Sequence, residues 1–519
     1  MSNKIQSKQS KTIKQSKTTK STKTEKKSDK SGNLSQIKSS KNLSKSQSIY
    51  LEIDDLSKKF LEEGRQYIYK WIRDEYGLSK DEATALNISI YNTTIARMIN
   101  VYKFDETLAA FLPFKFGKDI ISPRQDFYGF ATTCGTILYY QSFGDTLGYY
   151  NGNWEFNYGN DNRPDYVNDL ISEFIHLGGI NDISMVNWLA SDDTILYLIT
   201  ARVVLEYFFQ GDNAEISYFG SRLRQEYLKA KPLIQNRHPG QTTMDSLDIM
   251  SNIEWDKLPY NSRAIGAGAA MRSGSIGIFY PGRQNRKKLV ALAVECSRIT
   301  HNSATAILGS VTSALFTAFS LEKISVNLWP HYLLEILRSN IIDEYIKQSR
   351  PNEYSLFSRD KVIFQGQWEK YVSSRFSGVN PRDLRYMHNP VERYRYLTEN
   401  FSKGCDMPGG CGDDCVIMAY DSLLQSNGVL EKVVVYSILH PGDSDTVGSV
   451  ALSWFGAYYS TKKNLDILSP RFDELEYSNE INNLIWNTED FVLGLTKVFY
   501  KFIYIDIATD LVEQSMKLK

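Results

Sequence analysis

The stretch from Ser191 to Phe209 reads SDDTILYLITARVVLEYFF. From Thr194 onward it is apolar nearly all round, the mark of a buried helix. Its opening residues are Ser191, Asp192 and Asp193, and carboxylates are costly to bury unless paired, hydrogen-bonded or bound to metal. A second acidic cluster, Asp443-Ser444-Asp445-Thr446, follows Pro441-Gly442 and runs into TVGSVALSWFGAYY (446–459), rich in small residues and suited to close helix packing. Taken singly, each cluster reads as a helix N-cap with acids at the positive end of the helix dipole. Facing each other, the two would supply many hard oxygen ligands and no sulfur, which favours magnesium, manganese or calcium over zinc. Two carboxylates and a hydroxyl within one turn at 443–446 repel unless a cation sits between them.

Working outward, helix signals dominate and no partner strands are evident. Residues 288–299 and 303–320 read as a helical pair joined through His301-Asn302, and Val433–Leu439 is taken as helix despite its strand propensity. The expected class is all-α. At 519 residues the length suggests about three units. Neutrality of the whole hides a strong bias: residues 1–50 hold 13 Lys, no Arg, one Glu and one Asp, a net of +11 that leaves −11 for the rest. Residues 1–48 are almost devoid of large apolar side chains and are expected to be disordered. Such a tail suits solvation, or weak contact with nucleic acid or another polyanion. Residues 49–125 show apolar stripes at helical spacing (Ile49, Ile53, Leu56 and Phe60; Tyr67, Ile68, Trp71 and Ile72) and are expected to form a helical extension. The connector FLPFKFGK (111–118) and Pro123 place a boundary near residue 125, with the main domain over 126–519.

No secretory h-region is visible, and no run of about 18 apolar residues is expected anywhere in the chain, which excludes a spanning helix. Five Cys, a low and odd number, fit a reducing compartment without a disulfide framework, hence a cytoplasmic protein; the singly spaced lysines make a poor nuclear-import signal. Cys405, Cys411 and Cys415 have C-x5-C-x3-C spacing with no nearby His, a poor zinc pattern, and GGCGDD (409–414) reads better as a flexible loop beside a site. The glycine-rich run from Ser262 to Arg272 (SRAIGAGAAMR) could present backbone N–H groups to phosphate, or could serve plain helix packing. Asp145, in GDTLG (144–148), reads as a helix-interior acid satisfied by neighbouring hydroxyls, and His301 as a helix-end histidine or a ligand contact.

Together these motifs resemble the ADP-ribosylglycohydrolase family, in its ADP-ribosylarginine hydrolase branch. The resemblance is ordered along residues 126–500: GDTLGYYNGNWEF (144–156), WLASDDT (188–194), PYNSR (259–263) continuing through AAMR (269–272), RITH (298–301), LGSVTSALFTA (308–318) and HPGDSDT (440–446). It implies an orthogonal all-α globule with a binuclear magnesium centre in a central cleft. Ser191, Asp192 and Asp193 would serve one ion and Asp443, Asp445 and Thr446 the other, with Asp445 bridging. Ser262, Gly266 and Gly268 would hold the diphosphate of ADP-ribose, with His301 close by. Asp193 or Glu155 would orient or deprotonate the attacking water. Ile265 stands where branch members often carry another glycine. The resemblance implies hydrolysis of ADP-ribosyl-arginine on modified proteins by a monomer. The competing readings are a hydrolase of serine-linked or O-acyl-ADP-ribose, an ADP-ribose-binding module without turnover, and a polyanion-binding scaffold worked by the tail. The Trp154-Glu155-Phe156 stretch favours arginine.

Overall fold

The structure is a computed structural model that describes residues 73, 79–80, 124–157, 163–211, 214–376, 384–405, 407–459 and 471–487. The expected disordered tail (1–48), the helical extension (49–125, five residues apart) and the connector before Pro123 lie outside the described residues.

Among the described residues the α-helices of eight residues or more are α1 Arg124–Tyr149, α2 Tyr166–His176, α3 Asp192–Phe209, α4 Ile216–Ile234, α5 Gln241–Met250, α6 Ala270–Phe279, α7 Arg286–Arg298 and α8 Ala304–Leu321. They continue as α9 Trp329–Arg338, α10 Ile341–Ser349, α11 Tyr354–Arg375, α12 Pro390–Phe401, α13 Asp414–Ser426, α14 Leu430–Ser437 and α15 Ser444–Tyr459. No strand occurs among the described residues, which hold only two isolated β-bridges, Gly266 with Cys411 and Phe376 with Leu384. The fold is all-α, and the helix expected over 433–439 is α14.

At the centre lies α8, buried along its whole length and packed on α6, α7, α11 and α15. It corrects one sequence expectation. Its 18 residues have a mean hydropathy of 1.6, enough by length and composition to cross a membrane, yet 94% of that window is buried inside the fold. Interspersed hydroxyl residues mask the apolar run. Thr312, Thr317 and Ser320 donate to carbonyls one turn back and Ser310 donates to the Ala293 carbonyl, so each hydroxyl is buried with an acceptor.

The crossing that builds the site is α1 against α15. A Cβ on Gly144 would lie 2.4 Å from the Gly448 carbonyl oxygen, and one on Gly148 would lie 2.5 Å from the Ser444 carbonyl oxygen. The two backbones therefore touch, and α15 begins with its acids pressed against the C-terminal turn of α1. The Ser444 hydroxyl donates to the Gly148 carbonyl at 2.8 Å, pinning that end. On the far side Asp421 of α13 accepts from Arg375 Nε and Arg393 Nε (both 2.7 Å) and from the Tyr371 hydroxyl (2.6 Å), tying α11, α12 and α13 together.

Gly144→Ala should lower the thermal midpoint by a few degrees, since overpacking at a backbone contact costs about 1–3 kcal/mol. Gly366→Ala, in helix α11 where a Cβ meets nothing within 4 Å, should leave the midpoint unchanged or raise it. Equal effects from the two variants in a thermal melt would contradict the packing described for α1 and α15.

Candidate active site

Both acidic clusters sit at helix N-termini, and the fold brings those termini together. Ser191 is the N-cap of α3, its side chain accepting from the Asp193 N–H at 3.1 Å. Asp192 and Asp193 fill the first turn of α3, and Asp445 and Thr446 the first turn of α15. The clusters meet through Asp193: the Thr446 hydroxyl donates to Oδ1 at 3.4 Å and the Ser449 hydroxyl to Oδ2 at 3.0 Å. The Thr446 N–H donates to Asp445 Oδ1 (2.8 Å) and, at longer range, to Asp443 Oδ1 (3.3 Å). The capping role and the role in a shared acidic centre are thus both satisfied, since N-terminal amides partly offset the carboxylates they face.

Asp145 has a larger part than its sequence context suggests. Its Oδ1 accepts the Ser191 N–H (3.1 Å) and its Oδ2 the Thr194 N–H (3.0 Å), so α1 anchors the acidic loop through backbone amides. Burial, and then the Asp445 charge, push Asp145 up to about 7. Burial is also the first cause that raises Asp192, Asp193 and Asp443, with repulsion from Asp445 second. Asp445 is raised by burial as well, and its charge acts on every other acid of the group. So many carboxylates buried together are stable in ionised form only around a cation. Ser191, Asp192, Asp193, Asp443, Asp445 and Thr446 offer oxygen alone, a donor set that fits hard divalent ions such as magnesium.

Glu155 closes the group. It is 3% exposed, in the short 3₁₀ turn Glu155–Asn157. The Phe156 N–H donates to the Gly442 carbonyl at 3.0 Å, joining this turn to the residue before Asp443. Burial and then the charges of Asp445, Asp443, Asp192 and Asp193 raise Glu155 well above the carboxylate range. Tyr150, Asn151, Gly152 and Phe156 all have positive φ, a concentration of strained backbone that marks functional segments.

The glycine loop lies alongside. A Cβ on Gly266 would sit 3.0 Å from His301 Nε2, and one on Gly268 would sit 2.8 Å from His301 Cε1, so the loop closes over the imidazole. His301 is buried, contacts Thr300 Oγ1 through Nδ1 at 2.8 Å, and is held neutral, its pKa lowered to about 3 by burial and by Arg272. Ser262 sits upstream in an exposed turn closed by the Ala264 N–H to Asn261 carbonyl bond (2.9 Å), apart from the close Gly266, Gly268 and His301 contacts.

The 407–414 segment connects both halves of the site through backbone hydrogen bonds. The Ala267 N–H donates to the Gly410 carbonyl (2.9 Å), the Gly412 N–H to the Ile265 carbonyl (2.8 Å) and the Asp443 N–H to the Pro408 carbonyl (2.8 Å). Asp414 accepts the Gly409 and Cys411 N–H groups. Cys405 and Cys411 form a disulfide, which differs from the expected all-thiol chain; the loop doubles back through Gly409 (φ +89°) and sets their Cα atoms 5.9 Å apart. Those sulfurs and an Asp414 oxygen lie within 4.8 Å of one another, but the sulfurs are bonded together and Asp414 is spent on amides, which leaves no zinc set.

Residues that sequence reasoning missed surround the acidic loop. Arg237 donates to the Ala190 carbonyl and pairs with both oxygens of Glu476, each at 2.7 Å, while Glu476 Oε2 also accepts the Ala190 N–H (2.9 Å). Next to Arg237, His238 Nδ1 lies 3.2 Å from Glu155 Oε2. The only sequence signal was the run Asn236-Arg237-His238-Pro239-Gly240, whose partners lie far away in the chain.

The all-helical fold buries an oxygen-rich acidic centre beside a glycine loop. A family model described as ADP-ribosylglycohydrolase matches residues 138–488, and the chain belongs to that family. It is 96% identical, over the full length of both chains, to a protein of Acanthamoeba polyphaga mimivirus that is provisionally named an ADP-ribosyl glycohydrolase. It is 29% identical over 366 residues to the ADP-ribosylhydrolase ARH1 of Dictyostelium discoideum, covering 66% of this chain and 90% of that one. Among solved structures, an ADP-ribosylglycohydrolase-related protein complex aligns with 71% of this chain and 99% of its own, at 17% identity and a TM-score of 0.41.

The raised acids set a sign for pH dependence. Between the ordinary value of 3.8 and about 7, Asp145 holds more proton in the folded state than in the unfolded one, and its buried neighbours shift the same way. In EDTA, stability should therefore fall as pH rises through this window. Added magnesium should raise the thermal midpoint, more at pH 8 than at pH 5, because ligands must lose protons to bind. A magnesium effect of the same size at both pH values would refute the shared acidic centre.

Proposed function

We propose that this chain is a magnesium-dependent hydrolase of the N-glycosidic bond joining ADP-ribose to arginine side chains of modified proteins. The observation that carries the reading is the burial of Asp192 and Asp193 against Asp443 and Asp445, with Glu155 closing the group beside the Gly266–Gly268 loop. The negative centre suits a substrate carrying a cationic guanidinium, and the likeness to a protein named ADP-ribosylhydrolase supports hydrolysis of an ADP-ribose linkage.

In this reading Ser191, Asp192 and Asp193 would hold one magnesium ion, and Asp443, Asp445 and Thr446 the other. When bound, the ions would grip hydroxyls of the ribose attached to the protein and stabilise charge beside its anomeric carbon. The Gly266 and Gly268 amides would face the diphosphate, the Ala267 amide being bonded to the Gly410 carbonyl, with neutral His301 packed beneath. Ser262, at the exposed edge, contacts the outer part of the ligand. Asp193 has both oxygens engaged by Thr446 and Ser449, which leaves Glu155 the better base. Burial and the neighbouring acids raise its affinity for protons, as a base requires. Water adds to the anomeric carbon as the C–N bond breaks. The water's proton goes to Glu155. The guanidine departs with the electron pair of the C–N bond and is reprotonated, giving free ADP-ribose and restored arginine.

The test is release of ADP-ribose from an arginine-ADP-ribosylated protein, in magnesium and in EDTA, beside a serine-linked substrate. Magnesium-dependent release from arginine is expected, and Asp443→Ala or Asp445→Ala should reduce it by about 100-fold or more in a folded protein. Full activity in either variant would sink the metal assignment. Release from serine alone would overturn the linkage, and no release from either substrate would favour a binding module.

A further inference from the structure

The contact between His238 and Glu155 is built from several elements at once. His238 follows α4, and its φ of +52° is in the left-handed region, directly before Pro239. A residue preceding proline strongly prefers extended backbone, so this conformation is held by its surroundings. Those surroundings are visible. Arg237 ties the turn to Ala190 and Glu476, and so to the start of the acidic loop. The Tyr149 ring meets the imidazole edge-on at a centroid distance of 5.3 Å. Gly152 (φ +83°) lies beneath it, and a Cβ there would come within 2.6 Å of His238 Cε1. Three segments thus aim one ring nitrogen at Oε2 of a side chain that is 4% exposed, while the imidazole itself is 44% exposed at the rim. When Glu155 is ionised it can only accept, so in that state the contact places its proton on His238 Nδ1.

We propose that His238 is a positioning residue for Glu155: its Nδ1–H fixes one carboxylate oxygen at the rim so that the other is presented to the reacting water. This deepens the arginine-hydrolase reading and rests on it. Loss of the imidazole should lower kcat, because a carboxylate base free to rotate is in register less often. It should leave binding of ADP-ribose nearly unchanged, since the glycine loop and the acidic centre do not depend on it.

His238→Gly is the informative variant, because glycine takes a positive φ without strain and leaves a ring-sized gap over Gly152. The readouts are kcat and KM for arginine-linked ADP-ribose release, and the Kd for free ADP-ribose by calorimetry. A fall in kcat of roughly 10- to 100-fold is expected, in the range seen when an orienting partner is lost, with Kd within about twofold of wild type. Imidazole in the buffer should restore part of kcat. In a Glu155→Gln background, His238→Gly should cost nothing further and imidazole should restore nothing, because the two residues act as one unit. An unchanged kcat in His238→Gly would overturn the proposal while leaving the arginine-hydrolase reading intact, as would a loss that adds fully to that of Glu155→Gln. A wild-type protein that binds ADP-ribose but releases none from arginine would overturn both.

Discussion

The burial of several carboxylates against one another is the constraint on which the rest of this structure depends. Asp145, Asp192, Asp193, Asp443, Asp445 and Glu155 come from four separate stretches of chain and are all nearly inaccessible. Left to themselves they repel, and their raised proton affinities express that cost. The fold offsets it with two helix N-termini, the amides of Ser191 and Thr194 turned onto Asp145, and the Thr446 and Ser449 hydroxyls turned onto Asp193. What stays uncompensated is suited to a divalent cation. The most electrostatically expensive part of the molecule is therefore also its chemical centre.

The packing of the scaffold follows from that demand. Acids at the starts of α3 and α15 can meet only if α15 lies directly against α1, and Gly144, Gly148 and Gly448 remove the side chains that would hold the backbones apart. Helix α8 supplies the rigid centre around which α6, α7, α11 and α15 are arranged. The 407–414 segment then joins two halves that are distant in sequence. It exchanges backbone hydrogen bonds with the glycine loop on one side and with Asp443 on the other. Through it, the groups that would face the diphosphate and those that would hold metal are linked by backbone hydrogen bonds.

Much of this was legible in the chain. The apolar run after Ser191, the small-residue helix after Thr446 and the hairpin-like pair around His301-Asn302 appear as helices within a few residues of their expected bounds. The two acidic clusters do face each other, and Gly266, Gly268 and His301 do assemble. The failures share a cause. Helix α8 was not recognised as spanning-length because its hydroxyls look polar in sequence, whereas in the fold they are consumed by carbonyls. The Cys405–Cys411 bond was not anticipated because pairing depends on how the loop doubles back, and spacing does not encode that.

Sequence by itself determined the helical class, the residue types of the site and their order, because apolar periodicity and acidic clustering are local properties of a chain. Tertiary structure alone decided which groups serve which neighbour. Asp145 turned out to be an anchor of the acidic loop, Arg237 a clamp on it and His238 the partner of Glu155, across 46, 47 and 83 positions of chain respectively. A hydrogen bond acts over about 3 Å whatever the separation along the chain. Pairings of this kind are written only in the packing of helices, never in a single stretch of residues.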